Sequence, residues 1–441
     1  MKLLSVSLLF LLFGLAGRAS AQHDAGPAPE ALRDSLRMYR LEVDSLREEI
    51  RQLDSARNDD VEGLEERLEK RAQDLENKID AISRASAPVV LNPRTTAFIN
   101  FASRIDNKPE YDATGQNEIS NRMFVRTAEL ELRNAVDPYA EAILIISIEN
   151  EAGKDFSVDA EEAYGLIKRI PILEDAPLGM KLKIGKFRAP LGTDNKIHMH
   201  DLPWTTRPLV VARFLGSEHG DFFEAGFNAT GIDCDFYLPD PIPGTTLEGN
   251  VDVVRAGELG MAEGVSGRQP GYIGHLNLSG DWNNEHLLIL GLSGYTEGET
   301  SPTRLGIFDL TYKWSPSEER ESHSIVAGGE AFFGRNMLTD SAGRMSINAP
   351  YGWFAYLQYQ TSYWVYLGVR SDWYRDPTND QKITRGLAGY LSYYTTEFLR
   401  FRFGVERRWS DLPALDNATT GIFEVNFVFG SHPTEPYWVN K

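Results

Sequence analysis

Beyond residue 95 the chain alternates between apolar and polar positions with a period of two. In the stretch from Leu399 to Trp409, Leu399, Phe401, Phe403, Val405 and Trp409 fall on one face, and Arg400, Arg402, Glu406 and Arg408 on the other. Residues two apart share one side of a strand. The pattern recurs with Phe308, Leu310, Tyr312 and Trp314 opposite Asp309, Thr311 and Lys313, and with Phe423, Val425, Phe427 and Phe429 opposite Glu424 and Asn426. A face of aromatics backed by charges suits a strand that separates lipid from a watery lumen. Short turns such as Thr395-Thr396 alternate with longer polar stretches such as Arg375 to Gln381. About sixteen strands are predicted, each near the ~9–11 residues that suffice to cross a bilayer. The expected fold is all-β, a transmembrane antiparallel β-barrel over residues 95–441.

A different period governs residues 30–85. Leu32, Leu36, Tyr39, Val43, Leu46, Ile50 and Leu53 follow one another at steps of four and three, which lays a single narrow apolar seam along a helix. The seam breaks at Asn58-Asp59-Asp60 and resumes from Val61 to Ile82. So narrow a stripe needs a partner, so the segment is predicted to be a coiled coil; packing on its own barrel is the alternative. Leu32, Leu36, Val43, Leu46, Ile50 and Leu53 are the expected oligomerisation residues. Residues 1–21 have the form of a signal peptide: Lys2, an apolar run from Leu3 to Leu15, and a small-residue cleavage site at Ala19-Ser20-Ala21. Residues 22–29 then form the mature N-terminal segment, and 86–94 a linker containing two prolines.

Composition narrows the function. The net charge is -19, which argues against nucleic acid as a partner. Most of the acidic excess falls beyond residue 91, inside the expected barrel. A single cysteine, Cys234, excludes an intrachain disulfide framework. No nucleophile elbow, phosphate loop or zinc-protease motif occurs, so neither an enzyme nor a cofactor is expected. His198, His200 and Asp201 place three potential ligands within four residues. Nothing supplies the rest of a shell at a recognisable spacing, so they are read as polar loop residues and no metal is assigned.

The surrounding stretch, Thr193 to Asp221, is too long for a simple turn, and loops of that length are usually functional or disordered. It carries Trp204, Leu209, Val210, Val211 and Phe214, an apolar content that argues for packing. Inside a barrel, the place for such a loop is the lumen.

At this segment the chain resembles the phosphate-selective porin O and P family and its porin-like relatives. The residues that carry the resemblance are IGKFRAPLG (Ile184 to Gly192) and HMHDLPWTTRPLV (His198 to Val210). Near the C-terminus they are YLSYYTTEFLRFRFGVERRW (Tyr390 to Trp409) and GIFEVNFVFGSHP (Gly421 to Pro433). The resemblance implies a sixteen-stranded trimeric barrel with inserted loops narrowing the channel, and lumen arginines and lysines that attract anions, phosphate among them. The chain departs from that pattern in its acidic barrel and in ending at Lys441 after a polar tail.

The leading expectation is a porin in the outer membrane of a Gram-negative bacterium, contacting outer-membrane lipid, with its coiled coil in the periplasm. It would pass small hydrophilic or ionic solutes by diffusion. Lys196, His198, His200, Asp201, Arg207 and Arg213 from the loop, with Arg400, Arg402, Glu406 and Arg408 from the wall, are the expected constriction and pore-lining residues. The competing expectation is a structural anchor, with a coiled coil of ~75–80 Å engaging the cell wall or a periplasmic partner.

Overall fold

The computed structural model describes residues 93–109, 123–150, 156–169, 177–216, 226–261, 269–297, 303–317, 322–339, 343–379, 382–396, 398–412 and 417–430, together with Leu41, Asp44 and Ser45, which are helical. The signal peptide and the six seam residues lie outside that set.

Among the described residues from Arg94 to Gly430 there are seventeen strands in one antiparallel sheet. The first five are β1 (Arg94–Asp106), β2 (Met123–Ala135), β3 (Ala140–Asn150), β4 (Phe156–Ile167) and β5 (Lys181–Arg188). Then come β6 (Asn228–Leu238), β7 (Thr245–Arg255), β8 (Pro270–Trp282), β9 (His286–Glu297), β10 (Thr303–Trp314) and β11 (Ser324–Thr339). The last are β12 (Met345–Asn348), β13 (Tyr351–Gln360), β14 (Val365–Arg375), β15 (Ile383–Thr396), β16 (Leu399–Ser410) and β17 (Ala418–Gly430). The short β12 pairs only with the far end of β11, and β11 pairs onward with β13. The other strands close a sixteen-stranded barrel, sealed where β1 pairs with β17 from Thr96↔Gly430 to Asp106↔Thr420.

The two rims differ. The rim holding residues 93 and 430 has the connections 136–139, 168–180, 239–244, 283–285, 315–323, 361–364 and 397–398, most of them short. The opposite rim carries 107–122, 189–227 and 256–269, the β11–β13 connection that contains β12, and the shorter 151–155, 298–302, 376–382 and 411–417.

The period-two pattern sets the faces. Outside lie Leu292, Leu310, Leu357, Val369, Phe403 and Val405, all exposed. Exposed aromatics gather toward each rim: Trp282, Tyr359, Trp364 and Phe398 at the short-turn end, and Tyr272, Tyr351, Trp353 and Trp409 at the other. That is an apolar band between two aromatic girdles. Phe427 and Phe429 share this outer face, and Phe401 stacks there on Phe423 with ring centroids 6.4 Å apart. Among the described residues no helix is long and apolar enough to cross a membrane.

Among the described residues the register shifts at three places: one at the β15–β16 turn, where Tyr394 pairs with Arg400 but Thr396 with Leu399, and two in the strands that build the site. Asn100 pairs with Thr127 but Phe101 with Val125, which leaves Arg126 as the extra residue of β2. Ile145 pairs with Glu162 but Ile146 with Ala160, which leaves Glu161 as the extra residue of β4. A bulge lets adjacent side chains point the same way. Both bulged residues belong to the site below.

Candidate functional site

The connection between β5 and β6 folds back into the lumen. Its described part makes two short 3-10 turns, Asp194–Lys196 and Met199–Asp201, and one helix, α1 (Leu209–Leu215). Pro208 sets the start of α1 and Gly216, with φ 150°, ends it. Leu191, Met199, Leu202, Val210, Val211, Phe214 and Leu215 have no exposed surface. They form one core with wall residues that point inward, including Phe332, Phe354, Tyr374 and Tyr390. Trp204 meets Tyr356 edge-on at 4.9 Å and Phe354 at 5.8 Å. The lumen therefore contains a hydrophobic core as well as charge.

An irregular loop in that position has backbone carbonyls that water cannot reach, and each needs a donor. The wall supplies arginines. Arg402 donates through Nη1 to the Trp204 carbonyl at 2.5 Å, through Nη2 to the Leu202 carbonyl at 2.8 Å, and through Nε to Ser392 Oγ. Arg126 donates to the Thr205 carbonyl and Arg370 to the Thr206 carbonyl. Asn426 Nδ2 donates to the His200 carbonyl at 3.2 Å. The arginines are in turn neutralised inside the wall. Glu424 lies 2.8 Å from Arg126, 2.6 Å from Arg400 and 3.5 Å from Arg402, and Asp372 lies 2.9 Å from Arg370.

The loop's amides and hydroxyls find carboxylates elsewhere on the wall. The backbone N–H groups of Thr193 and Asp194 both donate to Glu330 Oε1, at 2.8 and 2.6 Å, and Thr193 Oγ1 donates to Asp309 at 2.7 Å. Asp309 and Glu330 are direct cross-strand partners, a carboxyl pair on which the loop's donors converge. Glu406 accepts from Thr205 and Thr206, and Asp372 from the Leu209 amide.

Inward glycines let the loop sit close. A Cβ on Gly404 would lie 2.8 Å from Thr205 Oγ1, and one on Gly386 would lie 2.8 Å from Leu209 Cδ1.

The ten expected pore residues divide into two sets. Arg207, Arg400 and Arg402 are wholly buried, each bonded to the loop or to the wall. Arg207 holds the loop to itself, through Asp194 at 2.9 Å and the carbonyls of Asp194 and Ile197. His200 is also buried, stacked on Phe98 at 3.7 Å. Arg213 is partly exposed and clamps Asp376 at 2.7 Å. Glu406 and Arg408 line a narrow crevice between Leu209 and the wall, with Arg370 and Asp372 behind them. Lys196 is exposed, and His198 and Asp201 are partly so. Lys196 reaches toward His275 of β8 at 3.5 Å. Lys183 of β5 is half-buried, paired with Asp233 at 2.7 Å and Asp235 at 3.3 Å. These groups are mixed in sign.

His198 and His200 face carboxylates of β2 and β4. Burial alone would lower the His200 imidazole, but Glu129 and Asp201 beside it raise it to about 9. Ligand atoms of Glu129, His198 and His200 lie within 4.8 Å of one another, close enough to share a metal ion.

No family model matches the chain. An uncharacterized protein of Aquifex aeolicus is 26% identical, over 70% of this chain and 69% of its own. Among solved structures, an anion-selective porin from Comamonas acidovorans is similar at a TM-score of 0.48 and 10% identity, covering 77% of this chain and 99% of that one. The outer membrane channel DcaP of Acinetobacter baumannii gives 0.46 and 7%, over 77% and 97%. The trimer form of OmpT, an outer membrane protein of Vibrio cholerae, gives 0.45 and 7%, over 77% and 99%.

Proposed function

We propose that the protein is an outer-membrane channel of the porin type, passing small hydrophilic or ionic solutes beside a loop that narrows its lumen. The observation that carries the reading is the closed barrel with an apolar outer band, two aromatic girdles and an interior of paired charges. A water-soluble protein rarely exposes apolar patches on that scale. The short-turn rim, which also holds both ends of the barrel, would face the periplasm. The path runs past Lys196, His198 and Asp201, where the groups are mixed in sign, so the reading does not single out phosphate. Arg400 and Arg402, which the family resemblance would offer to an anion, are already bound to Glu424 and to the loop. A trimer, held in part by the seam from Leu32 to Leu53, belongs to the same proposal.

Single-channel recording of the purified protein in a planar bilayer, with a reversal potential in a salt gradient, tests this. Discrete conductance steps with weak ion preference are expected. The dense packing around Trp204 favours one second reading, a barrel that anchors the N-terminal segment and conducts nothing. Absence of steps from a correctly folded barrel would support that reading and overturn the first.

A further inference from the structure

We propose that the lumen holds a divalent transition-metal site of the zinc class, built by Glu129 of β2, Glu161 of β4, and His198 and His200 of the inserted loop. This departs from the reading of the two histidines as polar loop residues, and it does not depend on whether the barrel conducts.

The distances are those of a coordination polyhedron. His200 Nδ1 lies 3.0 Å from Glu129 Oε1, and His198 Nδ1 lies 3.7 Å from Glu129 Oε2 and 3.2 Å from Glu161 Oε1. A tetrahedral ion with bonds of ~2.0–2.1 Å to nitrogen and oxygen sets its ligand atoms about 3.4 Å apart. The ligand atoms of Glu129, His198 and His200 all lie within 4.8 Å of one another, so the two rings need only close slightly on an ion.

Both histidines turn the same nitrogen, Nδ1, inward. Each places its other nitrogen against a separate carboxylate: His198 Nε2 lies 3.2 Å from Glu162 Oε1, and His200 Nε2 lies 3.4 Å from Asp201 Oδ2. Metal-bound imidazoles almost always donate their second N–H in this way, which fixes the tautomer and leaves the inward nitrogen as a lone-pair donor. The bulge at Glu161 aims two successive carboxylates at one imidazole, Glu161 at the inner nitrogen and Glu162 at the outer.

Hydrogen bonding within the group leaves two of its inward atoms over. Glu129 is 3% exposed, yet its Oε2 makes no hydrogen bond, and neither does His198 Nδ1. The charges also leave room for a cation. Glu129, Glu161 and Glu162 are all buried, and Arg188, bonded to Glu161, offsets one of the three. His198 retains some exposure, so an ion can reach the site from the lumen.

The test uses the purified full chain, stripped with chelator and dialysed against Zn2+ and, in parallel, Co2+. One tightly held Zn2+ per chain is expected, together with the strong visible absorption of tetrahedral Co2+. His198→Ala and Glu129→Gln should each weaken binding at least a hundredfold. Asp201→Asn, which removes only an outer partner, should weaken it about 10- to 100-fold. Because Glu129 is buried and its replacement can unfold the barrel, the more exposed His198 and Asp201 variants decide the matter, with folding checked by circular dichroism. No retained metal in the wild type, or equal retention in folded His198→Ala and Asp201→Asn, would overturn the proposal.

Discussion

Arg402 is the side chain whose loss most directly probes how the loop is held. It donates to two loop carbonyls and one wall hydroxyl, and it has no exposed surface. Arg402→Gln keeps part of the volume but cannot reach Leu202 and Trp204 together. A buried acceptor left without a donor costs about 1–3 kcal/mol. With two carbonyls stranded, and Arg126 and Arg400 still neutralising Glu424, a loss of roughly 2–4 kcal/mol in loop docking is expected. At 1.36 kcal/mol per decade that corresponds to about a 30- to 1,000-fold larger population of undocked loop. Met199 is a loop residue with no exposed surface in the docked state, so a thiol placed there reports undocking. The assay is the labelling rate of Met199→Cys in a Cys234→Ser background, with and without Arg402→Gln, by a water-soluble reagent. If opening is fast relative to labelling, the rate follows the open population. A change of less than threefold, with the barrel intact, would refute the arginine clamp and assign the holding energy to the apolar packing.

Three further outcomes are expected. Gly404→Val should push Thr205 off the wall, costing about 1–3 kcal/mol as an overpacked contact, and raise labelling at position 199 with no loss of barrel strands by circular dichroism. Val405→Arg, on the outer face of the same strand, should destabilise folding into lipid vesicles by roughly 2–4 kcal/mol at mid-membrane depth; a change under 0.5 kcal/mol in a urea titration would count against the assigned faces. Deleting residues 194–206 should raise single-channel conductance, and an unchanged value from a folded barrel would locate the constriction elsewhere.

The outer face was readable because lipid and lumen impose opposite polarity on neighbouring positions. Phe403 and Arg402 point apart, as their alternation predicts. The inner face was readable only in part. In β13, Trp353 and Phe354 are both aromatic, so polarity does not separate the outward ring from the one that packs on Trp204. An inward arginine also reads the same whether it meets water or a backbone carbonyl, which is why Arg400 and Arg402 looked like pore residues. The bulges at Arg126 and Glu161 leave no composition signal, since one extra residue in a strand resembles any other. The partners of His198 and His200 sit on β2 and β4, so no spacing within the loop reveals them. One usable signal went unread: Gly386 and Gly404 occupy inward strand positions where a side chain would have filled the lumen.

The seam between β1 and β17 bears on the order of assembly. Arg126 of β2 reaches Glu424 of β17 only once β1 has paired with both neighbours. Arg402 must likewise meet carbonyls two hundred positions earlier in the chain. Such long-range pairings pay loop-closure entropy first and form late. A half-inserted sheet would therefore carry a loop with uncapped carbonyls and a Glu424 still missing the Arg126 guanidinium. Circularisation and capping complete one another, so the last strand to arrive is also the one that arms the clamp.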